Sequence, residues 1–263
     1  MPDIIKILTF NVRCDWNGDG INSFVYRSGF ICDRISEYKP DVIMFQEVNG
    51  NLFLDILKKM LPEFEFFGQF RNDDFTGEGL YTAVRRDRLQ ALAFESFWIS
   101  PTPYVPGSRY ENQSNCPRVC VVLKLRDIKS GEIFRTFNVH LDYISEEVRI
   151  SGIKCVLEKA REYAQKHYVP FIIAGDFNAE PSEEAIKICH EYKPTGLFEA
   201  TKDIKETFHD FGRRKPGSKI DYIFVTPSIR KNIIDVYAWK DENDGIYLSD
   251  HYPICMELDM LNK

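Results

Sequence analysis

Hydrophobic residues fall in two rhythms along this chain, and each rhythm predicts an element. Short, mostly apolar runs read as strands over residues 4–11, 41–47, 64–67, 80–86, 92–100, 119–126, 219–226, 233–239 and 254–258, and an alternating run reads as another over 133–141. The clearest such run lies in residues 170–181, PFIIAGDFNAEP, where Phe171 to Ala174 lead through a glycine into Asp176 and Asn178. Spacing of three and four residues predicts amphipathic helices over about 23–38 (Phe24, Ile31 and Ile35 on one face), 51–61 (Leu52, Ile56, Met60) and 146–167 (Ile150, Ile153, Val156, Leu157, Ala160, Ala164). A further helix is predicted from a Ser182 cap to about residue 192, with Glu183 and Glu184 in its first turn. Pro40 and Pro62 stop the first two helices.

Strand follows strand for long stretches, and the helices gather between residues 21 and 61 and again between 145 and 193. That order predicts two similar halves, each a sheet with helices on its outer face. At 263 residues and 44% hydrophobic, the chain can bury the core of one large α/β domain or two small ones. No linker or low-complexity window divides it, so one domain over residues 1–263 is expected.

No apolar run approaches the roughly 18 residues of a membrane span, and the opening residues are too short a run, broken by Lys6, for an export signal. A cytoplasmic protein with reduced thiols is therefore expected, since the seven cysteines are odd in number and lack C-x-x-C spacing. A net charge of −6 argues against affinity built on broad contact with duplex phosphates, while leaving room for a local basic pocket.

Candidate chemistry sits where the strands end. Six strands or strand flanks deliver Asn11, Glu47, His140, Asp176 with Asn178, Asp221, and Asp250 with His251. Each has a plain structural reading: Asn11 as a turn former, Glu47 as a surface acid, His140 as a satisfied core histidine, residues 249–251 as a polar loop, and Asp176-x-Asn178 as an Asx turn closing a core strand. The other reading of Asp176 and Asn178 is a carboxylate that accepts a proton or holds a cation beside an amide that donates to an anionic oxygen. Six such ends in one chain favour a shared site.

In this order the motifs resemble the endonuclease/exonuclease/phosphatase superfamily, which includes deoxyribonuclease I, abasic-site endonucleases, neutral sphingomyelinases, inositol polyphosphate 5-phosphatases and deadenylases. TFNVR carries Asn11, FQEV Glu47, NVHLD His140, GDFN Asp176 and Asn178, KIDYIFV Asp221, and SDHYPI Asp250 and His251. The stretch GEGLYTAVRRDRL, followed by FWIS, PGSRY and NCPRV, is similar to a bacterial branch of that family. The tyrosine-bearing motif of the abasic-site enzymes is not found; His140 stands there.

The resemblance implies an α/β (α+β) four-layer sandwich, deoxyribonuclease I-like, of two packed mixed β-sheets with helices on the outer faces. It implies phosphoester hydrolysis with Mg²⁺ or Mn²⁺, Glu47 as principal metal ligand and Asn11 and Asp250 beside it. Asp176 would orient or deprotonate the attacking water, and Asn178 would hold a phosphate oxygen. His251, steadied by Asp221, and His140, steadied by Glu78, would donate to the phosphoryl oxygens. Arg118, in NCPRV, is a candidate to grip a second phosphate or another substrate charge, or else a solvated arginine. The basic segment Arg213-Arg214-Lys215 would meet a polyanion or form a solvated turn.

The leading expectation is a metal-dependent phosphodiesterase or phosphatase acting on a small phosphorylated or nucleotide-containing molecule. A nuclease for single strands or ends is the alternative enzyme. A binding module that has lost catalysis is disfavoured, because every expected catalytic residue type is present.

Overall fold

Both rhythms resolve into two six-stranded mixed sheets packed face to face. A computed structural model describes residues 3–15, 18–193 and 196–260. In chain order come β1 (Ile4–Asn11), α1 (Phe24–Tyr38), β2 (Val42–Asn49), α2 (Gly50–Met60), β3 (Phe64–Phe70), β4 (Glu78–Arg85), β5 (Leu89–Trp98), β6 (Val119–Asp127), β7 (Ile133–His140), α3 (Glu146–Lys166), β8 (Phe171–Asp176), α4 (Glu184–His190), β9 (Phe198–Glu199) and β10 (Asp221–Val225). The chain then returns through α5 (Pro227–Arg230), β11 (Ile233–Ala238), a small hairpin of β12 (Glu242–Asn243) and β13 (Ile246–Tyr247), and β14 (Ile254–Asp259). One sheet has the order β11-β14-β1-β2-β4-β3 and the other β5-β6-β7-β8-β10-β9.

Three apolar cores hold four layers together. Ile5, Ile7, Val42, Met44, Ile172 and Ile223 fill the space between the sheets. Phe24, Ile31 and Ile35 of α1 and Leu54 and Leu57 of α2 pack on one outer face. Ile153, Val156 and Leu157 of α3 and Ile186 of α4 pack on the other. Strands such as β8, buried at every residue, are apolar on both faces because a core lies on each side. Near one end of the sandwich the sheets are also joined by polar groups: Gln46 Nε2 donates to Asn138 Oδ1 at 2.8 Å, and Asn138 Nδ2 donates to the carbonyl of Phe45 at 3.1 Å.

Most expected elements form, with differences at their ends. Helix α4 covers only Glu184–His190, and Ser182 does not cap it. Glu183 occupies the cap position instead, with its carboxylate committed to the Glu180 amide at 2.8 Å and to Arg149. Strand β5 starts at Leu89 rather than residue 92, because Leu89 to Ala91 pair with β6 ahead of a bulge that interrupts the apolar pattern. The two-residue strands β9, β12 and β13 are too short to carry a period. All seven cysteines are free thiols. Among the described residues no helix is long and apolar enough to cross a membrane.

Candidate active site

Sheet topology gathers the candidate residues at one end of the sandwich. Parallel pairing of β1 with β2 sets Asn11 level with Gln46, beside Glu47, and parallel pairing of β7 with β8 sets His140 level with Asp176. Antiparallel β10 begins with Asp221 opposite Asp176. Antiparallel β14 begins opposite Thr9, which brings the preceding Asp250 and His251 past the end of β1.

Side-chain contacts then link all eight strand-end residues. Asn11 Nδ2 donates to Glu47 Oε1 at 2.9 Å and to Asp176 Oδ2 at 3.0 Å. His140 Nε2 and His251 Nε2 stand 3.5 and 3.8 Å from that same Asp176 oxygen. His251 Nδ1 meets Asp221 Oδ2 at 2.8 Å, and its Nε2 lies 4.0 Å from Asp250 Oδ1. The Asn178 amide donates to Asp176 Oδ1 at 2.8 Å, and the Asn178 side chain donates to the Leu141 carbonyl at 3.1 Å.

Local backbone devices aim these groups. Glu47 takes φ 61° at a register shift between Phe45 and Val48, which turns its side chain out of the ladder. Such a conformation is costly for a residue with a side chain and concentrates at functional positions. Gly175 permits close approach of β8 to β7: a Cβ there would lie 1.9 Å from the Val139 carbonyl oxygen. Gly175→Ala is accordingly expected to force β8 away from β7 and displace Asp176. A loss of at least about 3 kcal/mol in a denaturant melt is expected, the magnitude of a large strain mutation; an unchanged melt would contradict the geometry.

Burial and charge divide the ionisable groups into distinct protonation states. For Glu47, burial favours the neutral acid, but the Cys14 amide at 2.9 Å, Asn11 and the protonated His251 outweigh it and hold the carboxyl below its usual range. Asp176 is pushed up to about 7 by burial and by Asp221. His251 would lose its proton on burial alone, yet Asp221, with Asp250 and Asp176, raises it to about 10. His140 goes the other way, well below the usual imidazole value, through burial and the nearby charges of Arg118 and Arg71. The site therefore holds one protonated imidazole and one neutral imidazole around a shared carboxylate.

Some expected pairings form differently. Glu78 forms its ion pair with Arg71, and the carboxylate beside His140 Nε2 is that of Asp176. The cause is position: Glu78 opens β4 opposite Asn49 and points toward Cys14 and Glu47, with a ligand atom of each of the three within 4.8 Å of the others. Asn11 turns its NH₂ toward the two carboxylates, while its oxygen accepts from the Arg13 amide at 2.9 Å. Asp250 accepts from Ser249 at 3.1 Å and lies 3.6 Å from Arg13 Nε. Arg118 is buried rather than solvated. In the basic segment, Arg213 and Arg214 are instead half-exposed and pair with Asp210 and Glu180.

One residue missed in the sequence ties the site's loops together. Arg27 of α1 is fully buried and donates to the carbonyls of Asn22, Val12, Arg13 and Leu248, so one guanidinium grips the segment after Asn11 and the segment before Asp250. A signal was present: Arg27 falls on the apolar face of α1, between Phe24 and Ile31, where a solvated arginine does not belong. Thr207, also missed, accepts from the amides of Ile220 and Asp221, both at 3.0 Å, and so fixes the start of β10.

The donor set fits a hard divalent cation. Glu47, His140 and Asp176 each offer a ligand atom within 4.8 Å of the other two, and two of the three are carboxylates. Comparison with known proteins gives the family. A structure described as the endonuclease/exonuclease/phosphatase from Bacteroides vulgatus superposes with a TM-score of 0.89 at 28% identity, covering 97% of this chain and 98% of that one. A mannosyl-6-phosphatase of Bacteroides thetaiotaomicron shares the fold with a TM-score of 0.83 at 22% identity, over 97% and 99% of the two chains. Nocturnin of Drosophila melanogaster is 23% identical over 98% of this chain, which spans only 47% of that longer protein. With the model of the Endonuclease/Exonuclease/phosphatase family matching residues 8–251, a span that holds every residue of the strand-end cluster, the chain belongs to that family.

Proposed function

We propose that this protein is a divalent-metal-dependent phosphoesterase, using Mg²⁺ or Mn²⁺, that hydrolyses a small phosphorylated or nucleotide-containing substrate by direct attack of water. The observation that carries this reading is Asp176 Oδ2, on which Asn11, His140 and His251 converge from three separate strands or flanks. Glu47 would be the principal metal ligand, with Asp250 beside it and Asn11 able to join once its oxygen turns from the Arg13 amide. A bound cation would supply positive charge to the phosphate and leaving oxygens.

The remaining chemistry belongs to the chain's own side chains. Asp176, with a pKa of about 7, orients the water and takes its proton. Water oxygen bonds to phosphorus as the ester bond breaks, and its electron pair leaves with the departing oxygen. Protonated His251 and neutral His140 donate to the non-bridging oxygens as charge builds there, and Asn178 adds its amide once it is released from Leu141. Arg118 meets further negative charge on the substrate. No covalent intermediate on the protein is required.

The test is a panel of nucleotides, sugar phosphates, phospholipid headgroups, oligonucleotides and bis(p-nitrophenyl) phosphate assayed with Mg²⁺ or Mn²⁺ and with EDTA. Turnover of at least one compound that EDTA abolishes is expected. Turnover indifferent to EDTA would overturn the metal-dependent reading.

A further inference from the structure

Arg118 is a buried cation that pairs with no acid. It is only 4% exposed, yet among the described residues its guanidinium forms no ion pair and no hydrogen bond, although its charge is felt by Glu78, and its Nε is enclosed without a partner. Arg27, Arg88 and Arg149, equally enclosed, are each paired with carbonyls or acids. An arginine cannot shed its proton to escape such a position, and a buried charge left unpaired is costly.

A second cation shares this corner. Arg71 pairs through Nη1 with Glu78, but its Nε is likewise enclosed and unpartnered. Both guanidinium charges act on His140, which places them on the His140 side of the site. Aromatic surface borders them: the Arg118 Cζ lies 5.8 Å from the ring centroid of Tyr143, itself 56% exposed. On the other flank the Trp98 indole donates to the Arg71 carbonyl at 2.6 Å, and half-exposed Phe75 packs edge-on to Trp98.

We infer that Arg118 and Arg71 form an anion subsite beside the hydrolytic centre, built to take a second oxyanion of the substrate, a phosphoryl or carboxylate group. The substrate class is then a phosphoester with at least two anionic groups, the second lying over the Tyr143 edge, rather than a simple diester with a single charge. Its catalytic half rests on the hydrolytic reading above. Its binding half does not, because arginines engage an oxyanion without a metal.

The test therefore begins with binding, by titrating pyrophosphate and malonate into the full chain in EDTA by calorimetry. These are the phosphoryl and carboxylate forms of the probe. At least one should bind, and Arg118→Met should weaken it more than about 10-fold, with Arg118→Lys between the two because it keeps the charge and loses the planar fork. The Met variant should also melt no lower than the parent, since it removes an unpaired buried charge. Whichever probe loses affinity is the group the subsite takes; loss in neither overturns the inference.

Kinetics then separates the subsite from the reacting phosphate. With an aryl phosphoester bearing a second phosphate or carboxylate, compared with bis(p-nitrophenyl) phosphate, the ratio of kcat/KM should fall at least about 30-fold in Arg118→Met, mostly through KM. An equal loss on both substrates would place Arg118 on the reacting phosphate and overturn the subsite. If the parent turns over neither ester with Mg²⁺ or Mn²⁺, the hydrolytic reading is what fails, and the titrations decide the subsite by themselves.

Discussion

Glu47→Gln is expected to weaken divalent-metal binding by at least about 100-fold and to lower turnover with it, since even residues that only support a metal ligand cost 10–100-fold when removed. Glu47 is ionised at neutral pH, because its neighbours hold its pKa below the ordinary carboxylate range. The substitution therefore removes a full negative charge while keeping the size, and its one remaining oxygen can accept from Asn11 or from Cys14 but not from both. Titration of Mn²⁺ by calorimetry measures the loss directly, and excess metal should restore activity only in part. Metal affinity unchanged in the variant would remove Glu47 from the metal site.

The pair Asp221 and His251 carries the other large effect. With the 2.8 Å contact in place, His251 keeps its proton up to about pH 10, while Asp176 gives up its proton at about 7. A rate profile that rises through about pH 7 and falls toward about pH 10 follows. Asp221→Asn removes the charge that holds the imidazole proton, so the alkaline limb should move down toward the ordinary histidine value of about 6.5. Turnover at neutral pH should fall by about 100-fold or more, with Mn²⁺ binding and melting temperature little changed. His251→Ala should cost at least as much and the double variant little more, since residues that act as a unit are not additive. Losses that multiply would show that the two act separately.

The linked stability effect has the opposite sense to that of a salt-bridged acid. A histidine whose folded pKa is raised stabilises the fold fully below about pH 6.5. That contribution is lost as pH climbs toward about 10, where folded His251 gives up its proton. Asp221→Asn should flatten this part of the stability profile.

How far the sequence could be read depended on how each residue is held. The strand that ends in Asp176 was legible because a strand buried on both faces is apolar until it stops, which makes its first polar residue conspicuous; those that carry Asn11, Glu47 and His140 showed only as mostly apolar or alternating runs. Their meeting at one end was legible only through the motif resemblance, since pairing order and direction leave no local trace. Glu78 was given the wrong partner because a side chain at the start of β4 can face several acids and bases, and only the register with Asn49 decides among them. Arg118 carried no sequence sign of burial, and Ser182 carried a false sign of a cap. Arg27 broke an apolar face, but its four carbonyl partners lie far apart in the chain or on loops without pattern.

Those carbonyl partners give the site an unusual relation to acid. Carboxylates at its centre change charge as pH falls, Asp176 at about 7. A carbonyl oxygen has no proton to gain over that range, and Arg27, although burial lowers its pKa to about 10, stays charged throughout it. The brace between the segment after β1 and the segment before β14 thus keeps its strength while the groups it positions are titrated. Acid would switch the chemistry off without unlatching the frame, and neutralisation would find the loops already in register.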